Sequence, residues 1–228
     1  MNDFLSGCAQ LTLALVVSQR FVFGQSVKGA PLQRGVRALL ANRRWVLFLT
    51  TAFVGGKGFA SINNYLLPYM EELNTSKTTM GIALTIAIIF ELPVLFFADR
   101  LLKYYKAHGL LVLAMTITGV RLLLYAALNF PAGVLVVQIL NGLTFPVMWV
   151  AGVSYADENA PAGLSATAQG LFGAMVFGFG AAAGGFIGGL LLASIGGRGM
   201  YLAFGVVVLV SVAIITLIER RLPAEQQG

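Results

Sequence analysis

Three charged residues lie inside long apolar stretches of the sequence: Lys57, Glu91 and Arg121. A charge in hydrocarbon costs several kcal/mol unless it is paired, neutralised or facing water. A carboxylate in such a place can take up and release a proton, and a cation can pair with it or hold an anion. These three residues are therefore the first candidates for a functional site.

The spacing of the three charges places them at comparable depths. At about 1.5 Å per residue, Glu91 lies about 12 Å from the end of its helix near Asp99, and Arg121 lies about 18 Å beyond Gly109. Lys57 has a depth similar to that of Arg121. Consecutive helices joined by a short loop are usually neighbours. The sequence therefore predicts a bidentate Glu91–Arg121 pair, which either only pins two helices together or faces a cavity.

Two further features of these stretches bear on the charges. Pro93 lacks an N–H and clashes with the carbonyl four residues earlier, so we expect a helix kink near Glu91. Two cations against one carboxylate leave an excess positive charge. Either a missing N-terminal half supplies another carboxylate, or the bound solute is an anion.

Polar side chains accompany the charges at helical spacing. They either line a cavity and bind a polar solute or hydrogen-bond between helices. Three of them recur at i, i+3 and i+6, which puts them on one face of a helix. The candidates are Asn63, Asn64, Gln138, Asn141, Thr144 and Gln169, with Gln138, Asn141 and Thr144 forming the stripe.

The elements that position these residues follow from composition. The chain has 228 residues, of which 58% are hydrophobic and 11% charged, whereas soluble domains carry roughly 25% charged residues. The composition predicts an all-α, polytopic membrane helix bundle. The formal charge of +6 is then better explained by basic loops than by nucleic acid, and we expect no nucleic-acid partner.

Apolar segments of about 20 residues predict the membrane spans. A partial span at residues 4–23 precedes six full spans at about 45–70, 79–99, 107–129, 131–153, 164–193 and 199–218. The predicted organisation is a remnant helix at 1–23, a basic linker at 24–44, a six-helix domain at 45–218 and a tail at 219–228.

Orientation follows from the positions of lysine and arginine. Eleven of the 15 such residues fall in the linker, in the loop near residue 100 and at the C-terminus. The excess of basic residues in cytoplasmic loops predicts that the linker and the C-terminus are cytoplasmic. A bacterial inner (plasma) membrane fits this pattern.

Enzyme and cofactor sites are not indicated. Cys8 is the single cysteine, so no intrachain disulfide or thiolate metal cluster is expected. The one histidine, His108, reads as a solvated loop residue, and no phosphate-binding motif marks an ATP site. We expect no cofactor and no catalytic activity.

Glycines repeat every four residues at Gly180, Gly184 and Gly188, which predicts close helix packing.

Three stretches together resemble the major facilitator superfamily of transporters. FFADRLLKYYKAHG (96–109) resembles its degenerate Asp-Arg and basic motif. MTITGVRLLLYAAL (115–128) resembles its ninth span, with Arg121 at the place of a buried arginine. The stretch at 140–174 resembles spans ten and eleven, nearest to the branch of lactose-permease-like symporters and of phenylpropionate and nucleoside permeases.

The resemblance implies the C-terminal half of a twelve-span secondary transporter, working by alternating access on a small solute and coupled by default to protons. The implied partners are the bilayer and a missing N-terminal half or a second copy. Asn141 and Thr144 stand before Pro146, where lactose-permease-like symporters have a histidine and a glutamate. Glu91 is then the candidate coupling carboxylate. The alternative is a half-size membrane subunit that regulates or supports a partner without transporting alone.

Overall fold

The computed structural model describes residues 32–221, and these residues form helices joined by short turns. The predicted partial span at 4–23, Cys8, much of the linker and most of the tail lie outside these residues. The helices are α1 (Leu32–Ala41), α2 (Arg43–Glu72), α3 (Lys77–Phe96), α4 (Ala98–Tyr104), α5 (Ala107–Ala127), α6 (Pro131–Gln138), α7 (Phe145–Glu158), α8 (Ser165–Gly173) and α9 (Ala181–Arg221).

Five helical stretches are long and apolar enough to cross a membrane, and the last of them, Ser165–Arg221, has 57 residues. Gly196 divides it, with a φ of 70° and a ψ of 174° that a residue with a side chain rarely adopts. The N–H of Gly197 donates to a carboxylate oxygen of Glu72 at 2.8 Å. This bond ties the turn to the end of α2. The described residues confirm the all-α class, and the break at Gly196 agrees with the predicted boundary between the fifth and sixth spans.

Helix starts follow from local sequence. The side chain of Asn42 accepts hydrogen bonds from the N–H groups of Arg44 and Trp45 and so caps α2. Ser76 caps α3 in the same way through the N–H of Thr79.

Part of the segment predicted as a linker is the helix α1, and its Leu39 is only 3% exposed. That helix packs on the bundle instead of crossing open solvent.

Small residues bring α2 against the helical segment from 174 to 195. A Cβ added to Gly184 would lie 2.8 Å from the Cα of Lys57, and one added to Gly180 would lie 2.9 Å from the Cα of Gly56. Contacts this short leave no room for a side chain at either glycine. The predicted close packing along the glycine repeat is confirmed.

The fifth and fourth predicted spans are irregular inside, whereas α3 is not. A π-helix at Ala174–Gly180 joins α8 to α9, and a 3₁₀ helix at Ile139–Leu143 joins α6 to α7. The helix α3 runs unbroken past Glu91 and Pro93 to Phe96. The helix does not break at Pro93, and the chain turns only after Phe96; the predicted kink near Glu91 stays a prediction.

Basic side chains gather at one end of the bundle, which we call the basic end and define by Arg100, Lys103, Lys106, Arg220 and Arg221. Here the imidazole of His108 lies 3.1 Å from a carboxylate oxygen of Glu219. The histidine belongs to the first turn of α5 and is partly buried. The interpretation of His108 as a solvated loop residue is therefore wrong, since the last helix packs against the start of α5.

Candidate functional site

Arg121 is the centre of the candidate site. It projects from α5, is 2% exposed and donates to four side chains. Its guanidinium reaches the amide oxygen of Asn141 at 2.7 Å, the hydroxyl of Thr144 at 2.9 Å and the hydroxyl of Tyr125 at 3.0 Å, and it also donates to the amide oxygen of Gln138. A buried cation is tolerated only with such partners. All four partners are neutral.

The predicted polar stripe is thus a ring of acceptors around Arg121. Gln138 ends α6, Asn141 lies in the 3₁₀ helix, and Thr144 has non-helical dihedrals, with φ at −103° and ψ at −96°. Pro146 explains the break, since it clashes with the carbonyl four residues earlier and donates no hydrogen bond there. The break turns side chains spaced at i, i+3 and i+6 toward one guanidinium.

Asn141 connects the buried arginine with Glu91. Its amide nitrogen donates to the carbonyl of Ala87 at 3.1 Å and to a carboxylate oxygen of Glu91 at 3.3 Å, while its amide oxygen accepts from Arg121. Glu91 itself is only half-buried. The site therefore links a fully buried cation to a more open carboxylate through one amide.

The predicted direct pair between Glu91 and Arg121 is wrong. In the described part of the chain no salt bridge joins the two residues. The reason is helix order, because α3 packs chiefly against the 3₁₀ segment Ile139–Leu143 and not against α5. The broken span lies where a direct contact was expected, and Asn141 takes the position between the charges.

Two residues that sequence reasoning missed complete this site. Tyr125, which is 0% exposed, accepts from Arg121 and donates to Gln138 at 2.7 Å. Its spacing of four residues from Arg121 was a usable signal. At Gly142 an added Cβ would lie 2.0 Å from the carbonyl oxygen of Phe90, so only glycine allows the broken segment to approach α3 this closely.

Lys57 lies apart from this cluster on α2. It is half-buried, its ammonium lies 4.9 Å from the ring centre of Phe53, and no described carboxylate forms a salt bridge with it. Asn63 and Asn64, further along α2, are exposed. The structure does not bring these three residues into the Arg121 cluster. All three are more open than Arg121.

Aromatic rings occupy the region where α2, α7 and the π-helix meet. Phe59 stacks on Phe145 with ring centres 4.2 Å apart, and Trp149 and Phe177 lie 5.1 Å apart. All four rings are partly exposed. The grouping could not be predicted from the sequence, since the rings come from distant segments.

Gln169 hydrogen-bonds to a different set of side chains. Its amide nitrogen donates to Asp157 at 3.3 Å and to Ser165 at 3.1 Å, and Ser165 also donates to Asp157. This small cluster fastens the loop between α7 and α8. Gln169 therefore lies outside the Arg121 cluster, and its predicted role in binding or coupling stays a prediction.

Comparison with known proteins agrees with this architecture. The model of the MFS_1-like family matches residues 10–203. The chain is 30% identical over 213 residues to the maltose permease of Geobacillus stearothermophilus, covering 93% of this chain and 54% of that protein. It is 29% identical over 183 residues to a Xenopus laevis major facilitator superfamily domain-containing protein 6-like protein B, covering 80% of this chain and 30% of that protein.

The fold resembles a solved structure of the nucleoside transporter NupG, with a TM-score of 0.72, 17% identity, and coverage of 85% of this chain and 53% of that one. The chain spans about half the length, or less, of these relatives. The matches to a permease and a transporter agree with the expectation that the chain is not an enzyme. With its apolar spans and its family match, the chain is a multi-pass membrane protein that belongs to the MFS_1-like family of the major facilitator superfamily.

Proposed function

We propose that the chain forms one six-helix half of a secondary transporter, which moves a small solute across the membrane by alternating access. The observation that carries the proposal is the linked set of Glu91, Asn141 and Arg121 at a broken span. Broken helices and buried charges at mid-depth are typical of transporter binding and coupling sites. The positive charge of Lys57 favours an anionic group on the solute.

Glu91 is the proposed proton-coupling group. When ionised, its carboxylate accepts a hydrogen bond from Asn141, which also holds Arg121. Protonation would weaken this acceptor and loosen the contact between α3 and the 3₁₀ segment. Because Glu91 is half-buried while Arg121 is buried, the carboxylate is the part of the network that a proton reaches. Loading and release of that proton would then bias the rocking of the two halves.

The second half is proposed to pack on α3. Within α3, which the structure describes throughout, only Met80 and Ala83 are buried. That half is either an N-terminal six-helix unit or a second copy of this chain. We propose a cytoplasmic position for the basic end, because Lys and Arg concentrate there, and a bacterial inner membrane as the location.

Proton movement in proteoliposomes tests the coupling proposal. Liposomes loaded with a pH-sensitive dye are supplied with uridine monophosphate, an anionic solute of the kind that Lys57 favours. Maltose and uridine are the neutral solutes, because a maltose permease and a nucleoside transporter are similar to this chain. We expect solute-dependent acidification that is lost in Glu91→Gln, while solute exchange persists. Glu158→Gln, an exposed carboxylate at the end of α7, is the matched control. Equal acidification by Glu91→Gln and wild type would remove Glu91 from coupling.

The exposed face of α3 also favours a second candidate function, that of a half-size subunit which supports a partner without transporting alone. Proteoliposomes that contain this chain by itself separate the two. Uptake together with a dimeric mass supports a half-transporter that pairs with itself. A lack of uptake, with stable folding, excludes pairing with itself. A second reconstitution with a separately expressed N-terminal six-helix unit then decides between a half-transporter, which regains uptake, and a subunit, which does not.

A further inference from the structure

A cavity of about 390 Å³ runs from the basic end toward Ile117 and Leu143, and neither Arg121 nor the side chains bonded to it line this cavity. It lies between the ends of α3 and α4 on one side and α5 and α7 on the other. Leu110, Leu113 and Ile117 form one wall at spacings of three and four residues, which is a single stripe about 10 Å long. Val94 and Val147 face them. The walls are almost wholly apolar.

The rim of this cavity is basic and aromatic. Arg100 lines it, with its guanidinium 5.5 Å from the ring centre of Phe97. Tyr104 is 77% exposed and Tyr105 is 61% exposed, as is typical of rings at a membrane surface. Exposed Lys103 lies on the same short helix.

Arg100 is open to a ligand. In the described residues no carboxylate forms a salt bridge with it. The exposed carboxylate of Asp99 is its neighbour in sequence, but Asp99 does not line the cavity. Arg100 therefore brings a positive charge to the edge of an apolar groove, and Leu113 inside it is 51% exposed, which leaves the groove open on one side.

We propose that this groove binds an anionic phospholipid, with an acyl chain along Leu113 and Ile117 and the phosphate against Arg100. A polar solute would find no hydrogen-bond partner on the walls. An uncharged helix packed in the groove would leave Arg100 without an anionic partner. The acyl chain of an anionic lipid matches the apolar walls, and its phosphate matches Arg100. Basic pockets between helices at the cytoplasmic surface are a recurring place for such head groups. The proposal is independent of the transport proposal.

Native mass spectrometry of the purified chain in detergent tests the site, with dioleoyl-phosphatidylglycerol and dioleoyl-phosphatidylcholine as probes. We expect the anionic lipid to be retained about fivefold more than the neutral one, the effect of one basic contact. Arg100→Gln should abolish that preference and Arg100→Lys should keep it. Arg221→Gln, at the same end but outside the groove, is the control and should match wild type.

A second variant tests the apolar part. Leu113→Trp fills the groove and should lower the retention of both lipids. Equal retention of the two lipids by wild type, or the same preference in Arg100→Gln and Arg221→Gln, would overturn the proposal. Unchanged helical content and elution volume confirm folding of each variant. The Arg100→Lys and Arg100→Gln pair decides the question even if Leu113→Trp does not fold.

Discussion

Arg121 and Lys57 are both cations inside apolar spans at similar predicted depth, yet their surroundings differ. Arg121 is 2% exposed and holds four neutral side chains. Lys57 is half-buried, and its ammonium lies 4.9 Å from the ring centre of Phe53. A guanidinium has five donors in a fixed plane, so it can bind several oxygens at once. An ammonium on a flexible side chain has no fixed geometry and can remain without protein partners until a ligand binds.

The comparison separates two roles. The Arg121 cluster holds the broken span in place and connects it to Glu91, so its loss should damage the fold. Lys57 makes few contacts within the protein, so its substitution should affect solute binding more than stability. Substitutions in the Arg121 cluster should therefore cost more stability than substitution of Lys57.

The largest loss is expected for Arg121→Met. This change leaves the oxygens of Asn141, Gln138 and Thr144 without their common donor and should lower the free energy of unfolding by about 3 kcal/mol or more. Denaturation in mixed detergent micelles measures it. A variant as stable as wild type would mean that the cluster does not hold the broken span.

Gly142→Ala should come next. The added methyl group would meet the carbonyl oxygen of Phe90 at 2.0 Å, which forces α3 and the 3₁₀ segment apart and costs about 2 kcal/mol. Gly170→Ala is the matched control, because nothing lies within 4 Å of its Cβ position. The control should be neutral or stabilising by up to about 1 kcal/mol. Equal behaviour of the two alanine variants would contradict the close approach.

Tyr125→Phe should have a moderate effect. It removes a hydroxyl that accepts from Arg121 and donates to Gln138, at a cost of about 1 to 2 kcal/mol. Tyr65→Phe, which removes a hydroxyl bonded to the carbonyl of Gly185 outside the cluster, is a useful comparison. If the Arg121 cluster is one unit, Tyr125→Phe combined with Arg121→Met will cost much less than the two separate losses added together.

Lys57→Met should change stability least, by less than about 0.5 kcal/mol, and should change binding most. Loss of a charged contact to an anionic solute corresponds to about a tenfold or larger drop in affinity. Equilibrium binding of an anionic solute such as uridine monophosphate checks this, with Lys77→Met, an exposed lysine, as control. Unchanged affinity for an anionic solute would remove Lys57 from the binding region.

The described structure bears out what local sequence could predict. Each span needs its own run of apolar residues, so the long apolar helices could be placed from the sequence within a few residues. The stripe of Gln138, Asn141 and Thr144 needs only the helical period, and its members do share one environment. The small-residue repeat at Gly180 and Gly184 likewise needed only its spacing to predict close packing.

The partners of the charges were decided by tertiary structure alone. Sequence order suggested that Glu91 and Arg121 lie on adjoining helices, but the broken span packs against α3 and places Asn141 between them. A hydrogen bond depends on which helices approach and on where a helix breaks. Both depend on contacts such as Gly142 with Phe90, which join segments about fifty residues apart. Apolar runs are local properties that one segment fixes by itself, whereas a partner for Arg121 exists only after several segments have packed together.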